Sequence, residues 1–98
     1  MASSRKTEQR LLDKDERELV EQARHPNLTE LDSDGLRNLA RRLRERRDRA
    51  QGLGRRQRRS AREAGQAEGL EAGNKQKAAV LQAAIARLNK DYARRVEA

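Results

Sequence analysis

Twelve arginines lie between Arg37 and Arg62, a stretch of 26 residues that contains only two acids, Glu45 and Asp48, and so carries a net charge of +10. The whole chain of 98 residues carries +8, so the remainder is slightly acidic. Each guanidinium is a planar fork that donates paired hydrogen bonds to phosphate or carboxylate oxygens and stays protonated at neutral pH. At this density the groups repel one another and resist compaction unless an anion neutralises them. The chemistry these residues offer is electrostatic recognition of a polyanion.

Their spacing suits that chemistry. At about 100° per residue on a helix, Arg37, Arg41, Arg44, Arg55, Arg59 and Arg62 fall within a sector of about 60°, with Arg42, Arg49 and Arg56 in a neighbouring sector. Such rows can follow a phosphate backbone without reading bases. The segment holds no aromatic residue on which unpaired bases could stack, so duplex DNA or duplex or structured RNA fits better than a single strand. The expectation is a nucleic-acid-binding protein, largely sequence-nonspecific, with phosphate contacts from Arg41, Arg42, Arg44, Arg55, Arg56, Arg58, Arg59 and Arg62. The alternative is a helical adaptor or regulator that meets an acidic protein partner through the same arginines and a C-terminal apolar stripe. A third reading is a merely solvated face, in which Glu45 and Asp48 pair with Arg49, Arg41 or Arg44 at helical spacing. A membrane surface is disfavoured, because Trp and Phe are absent and the arginines spread around the helix.

Catalysis finds little support. The single histidine, His25, precedes Pro26 at an expected helix end, and no cysteine exists to serve as nucleophile or metal ligand. Asp32-Ser33-Asp34-Gly35 matches only the opening of a calcium loop, since the distal acid is replaced by Leu43. Gly52-Leu53-Gly54 lacks the third glycine of a dinucleotide fingerprint, position 57 being Gln, and follows no strand. No catalytic residue, metal or cofactor is expected, and the chain reads as a non-enzyme.

The elements that must position the arginines follow from composition and periodicity. Only 34% of residues are hydrophobic and 41% are charged, too little for a thick single-chain core. Abundant Ala, Leu, Arg, Glu and Gln with a single proline favour helix. An all-α fold of about three helices is expected, as a hairpin or small bundle in one domain. The first covers roughly 7–24, begins near Thr7, buries Leu11, Leu12, Leu19, Val20 and Ala23, and stops before Pro26. Its acidity would let it lie against the basic segment. A connector over 25–32 offers Leu28 and Leu31 as plugs, and Asp32 or Ser33 caps a second helix over 33–64. That helix carries Leu36, Leu39, Ala40, Leu43 and Ala50 on one face, with Arg47 interrupting the stripe and a break expected at the glycines of 52–54. Residues 65–73, with glycines four apart, read as a linker, with a glycine face for close helix packing as the rival, and residues 1–6 as a flexible start.

Asn74 is expected to cap a third helix over 74–96. Ala78, Leu81, Ala84, Ile85, Leu88, Tyr92 and Val96 share about a third of its circumference. Leu81, Ile85, Leu88 and Tyr92 are the candidates for a partner or dimer interface, with intrachain core as the rival assignment and a homodimer as the corresponding assembly. The absence of an apolar leader, of a spanning segment and of cysteine makes the cytoplasm the expected compartment.

Overall fold

The computed structural model describes residues 5–64 and 69–97. Among them are five helices and no strand: α1 (Arg5–Leu11), α2 (Lys14–Gln22), α3 (Asn27–Glu30), α4 (Ser33–Ala64) and α5 (Gly69–Glu97). The two long helices pack on each other as an antiparallel hairpin, with Gly54 opposite Asn74, Arg47 reaching Gln82, and Leu36 and Ala40 beside Leu88 and Tyr92. The short helices lie on one part of this hairpin, α1 against α5, α2 against α4, and α3 against α2 and α5. The molecule is a rod with principal extents of 53 × 23 × 23 Å.

The expected first helix is two helices. Asp13 ends the run because its carboxylate accepts from the Glu16 N–H at 2.8 Å while the Glu16 carboxylate accepts from the Asp13 N–H at 2.9 Å. This reciprocal capping box satisfies two donors that a continuous helix would have bonded internally. The chain turns at Leu12 and Asp13, yet Leu12, Leu19, Val20 and Ala23 are all buried and Leu11 packs against them, so the expected apolar set survives the break. The connector contains α3; Leu28 is fully buried, Leu31 is partly buried against the core, and His25 is exposed. Asp32 is the cap of α4, its carboxylate accepting from the Gly35 N–H at 2.7 Å.

The expected break at 52–54 does not occur, since α4 runs without interruption to Ala64. Alanine and glycine explain how. Ala50 and Gly54 are buried, and a Cβ placed at Gly54 would lie 3.6 Å from the Asn74 Cβ, an ordinary contact. Small residues therefore let α5 lie close enough to support the glycine-containing turns, and packing outweighs a helix penalty of about 1 kcal/mol per glycine. The helix α5 starts at Gly69 and not at Asn74, so residues 69–73 of the expected linker are helical. The rest of that linker, 65–68, lies outside the described residues, as do residues 1–4 of the expected flexible start, whose Arg5 and Lys6 belong to α1.

Because the added methyl fits, Gly54→Ala should stabilise the protein by about 0.5–1 kcal/mol through helix propensity. In a domain of this size that is a rise of about 3–6 °C in the midpoint of thermal unfolding followed by far-UV circular dichroism. A fall in the midpoint would mean that the two helices tolerate no side chain there.

The core is the seam where the stripes meet. Leu28, Leu36, Leu43, Leu81 and Ile85 are its largest fully enclosed side chains. Val80, outside the expected stripe, is also buried in this cluster, on a helix that packs against α1 as well as α4.

Two buried carboxylates fasten the short helices. Glu16 is 3% exposed and sits 3.0 Å from the Lys77 Nζ of α5, with Arg46 of α4 at 3.9 Å, so one residue of α2 touches both arms of the hairpin. Asp91 receives Arg94 at 3.2 Å and Arg95 at 3.0 Å. Arg95 also donates to the carbonyls of Leu28, Thr29 and Leu31, adding to the single backbone bond that the Leu28 carbonyl accepts from the Leu31 N–H at the end of α3. Arg87 does the same for α2, its Nε donating to the Ala23 carbonyl at 3.3 Å. Burial, then the neighbouring Arg24 charge, lowers the Arg87 pKa, with Glu8 opposing both.

Candidate polyanion-binding face

The rotation of α4 decides which arginines are available. Leu36, Leu39, Ala40, Leu43 and Ala50 turn inward and are buried. At about 100° per residue, this directs Arg37, Arg41, Arg44, Arg55 and Arg59 to the opposite side, with Arg42, Arg49 and Arg56 in the adjoining sector. All eight are exposed. The side chains of Arg58 and Arg62 lie outside the described residues.

Two arginines of the segment are internal fasteners. Arg46 lies 3.3 Å from Asp13 and 3.5 Å from Asp15. Arg47 bonds Gln82 at 2.6 Å and Asp48 at 3.0 Å, which makes the residue that interrupts the apolar stripe a bridge between α4 and α5. Both are half-buried. Neither belongs to the expected contact set, and their position explains why.

The outward arginines contrast sharply with these. Arg37 pairs with Asp34, but Arg41, Arg42, Arg44, Arg49, Arg55, Arg56 and Arg59 make no hydrogen bond or ion pair among the described residues. The helix-internal pairing that would have discharged the face is missing. Asp48 turns to Arg47, and the exposed Glu45 has no ion pair among the described residues. The acidic N-terminal segment does not discharge the face either: Asp13, Asp15 and Glu16 engage Arg46 and Lys77, and Glu8 engages Arg24. From Arg41 to Arg59 the unpaired groups extend along about 27 Å of helix axis, at 1.5 Å per residue. Like charges so arranged, facing water, raise a strong positive potential and concentrate anions along a line.

The second candidate surface is not on the outside. Leu81 is fully enclosed, Ile85 and Leu88 are each 2% exposed, and Tyr92 packs half-buried on the same cluster. Within one chain the α5 stripe is already covered by α4 and the short helices, so these four residues form core and leave no apolar docking face along the stripe. Only Val96 at its end projects into solvent, at 67% exposure.

Sequence reasoning missed the pairing of Glu16 with Lys77; the Asp13-to-Glu16 spacing signals only the capping box. Among the described residues no cluster of three His, Cys, Asp or Glu side chains could hold a metal ion, and no helix is long and apolar enough to cross a membrane. Compared with protein-family models, curated proteins and solved structures, the chain matches none.

Proposed function

We propose that this chain binds nucleic acid through its phosphate backbone, largely without regard to base sequence, using the outer face of α4. The observation that carries the reading is the sorting of the arginines: Arg46 and Arg47 are consumed internally, while seven others stand exposed in rows with no partner among the described residues. A rigid helix presents them at fixed intervals, so several phosphates can be engaged without ordering a loop first. With Leu81, Ile85 and Leu88 in the core, an acidic protein partner would have to be held by the arginine face alone.

The test is equilibrium binding of the full chain to labelled duplex DNA and to structured RNA across a salt series. Neutralising about seven phosphates predicts a log–log slope near −6 on B-DNA, at about 0.9 released counterions per contact. Any difference between the two probes identifies the preferred nucleic acid. A protein that ignores both at low salt refutes the reading and leaves an acidic protein as the partner to seek.

A further inference from the structure

The structure gives Gly52 of Gly52-Leu53-Gly54 no intrachain packing role. Gly54 faces α5, where a Cβ would meet Asn74 in ordinary contact. Gly52 points the other way. Beyond its own helix backbone, a Cβ there would meet only a terminal guanidinium nitrogen of Arg56, at 3.8 Å, which is ordinary contact. Its backbone is helical, so no left-handed conformation requires glycine either. A residue that weakens its own helix with no return in packing breaks the local rules of a foldable sequence, and such breaks concentrate at functional positions.

Its surroundings supply a function. Arg49 lies one turn before Gly52, Arg55 and Arg56 one turn after, and Arg59 two turns after, all on the same side of the helix. All four are exposed and unpaired among the described residues. We propose that Gly52 is the close-approach point for the bound backbone, where a phosphate rests against the helix surface within reach of Arg49, Arg55 and Arg56 together. Without a side chain the phosphate can come to van der Waals distance of the helix. Three guanidinium groups anchored one turn away then converge on it. A larger residue would hold the phosphate outward and leave each arginine to reach it singly.

This inference rests on the nucleic-acid reading, and its test separates the two. Gly52→Ala and Gly52→Leu are compared with the parent protein, and Ala83→Leu serves as a size-matched control at an exposed position of α5. Binding to a labelled DNA duplex is measured by anisotropy across a salt series, and folding by thermal unfolding. The expected losses are about threefold for Gly52→Ala and about tenfold or more for Gly52→Leu, the latter with a slope shallower by about 0.9 for one lost phosphate. Gly52→Ala should meanwhile raise the unfolding midpoint, and Ala83→Leu should bind like the parent.

A folded Gly52→Leu protein that binds within twofold of the parent overturns the inference while leaving the nucleic-acid reading intact. So does an equal loss in Ala83→Leu. Should Gly52→Leu fail to fold, Gly52→Ala decides: parental affinity at raised stability overturns it. A parent protein that binds neither the DNA duplex nor a structured RNA removes both proposals at once.

Discussion

Replacing both Leu81 and Ile85 with alanine should unfold the protein, not merely detach it from a partner. The two side chains are 0% and 2% exposed, one helical turn apart, at the seam of α4 and α5. Truncating a buried Leu or Ile costs about 2–5 kcal/mol in transfer energy and residual cavity. The pair would therefore cost roughly 4 kcal/mol or more after allowing for coupling between neighbours. Domains are stable by about 5–15 kcal/mol, and one with so small an apolar fraction belongs at the low end. Far-UV circular dichroism should show lost helicity, or a urea midpoint far below the parent. Val96→Ala, on the same helix face but 67% exposed, should change stability by less than about 0.5 kcal/mol. A double variant with parental helicity and midpoint would return the stripe to the list of surfaces.

The arginine face makes the opposite kind of prediction, a large loss of binding with little loss of fold. Changing Arg55, Arg56, Arg58 and Arg59 to glutamine removes four charges from a helix segment with no described intrachain ion pairs at Arg55, Arg56 or Arg59. At roughly 0.7–1 kcal/mol per exposed phosphate contact, the variant should lose about 3–4 kcal/mol of affinity at low salt, a factor above about a hundred. Its log–log salt slope should become shallower by about 3.6, four contacts at 0.9 each. Arg46→Gln is the informative contrast. That guanidinium already lies 3.3 Å from Asp13 and 3.5 Å from Asp15, so its loss should destabilise the docking of α2 while leaving the slope nearly unchanged. Equal slopes for the quadruple variant and the parent would contradict the assigned contacts.

The fold was legible where it depended on a single period. Leu36, Leu39, Ala40 and Leu43 repeat at helical spacing, as do Leu81, Ile85 and Leu88, and both stripes became core. Boundaries were less legible, for two physical reasons. Leu11 and Leu12 continue the stripe of Leu19 and Val20, so periodicity spans a break that only the reciprocal bonds of Asp13 and Glu16 enforce. At the glycines of α4 and early α5, intrinsic propensity argued for interruption, yet both helices run through them, with contact to the other arm of the hairpin at Gly54. The candidate face was readable as a charge excess and a spacing. Which arginines would be used up was not, because Arg46 finds Asp13 and Asp15 across 33 and 31 positions of sequence, a pairing that exists only once α2 has docked. Glu16 was hidden for the same reason: an acid among charged neighbours reads as solvated until Lys77 and Arg46 close over it.

The placement of the three short helices gives the rod two unlike ends. Their ion pairs and hydrogen bonds meet the hairpin at Arg46 on α4 and at Lys77, Arg87 and Arg95 on α5, from the middle of the rod to the end of α5. Arg55, Arg56 and Arg59 lie beyond Arg46, toward the hairpin's turn. The docking of α2 thus sets where the unpaired row is interrupted, because Asp13 and Asp15 take up Arg46 between Arg44 and Arg49.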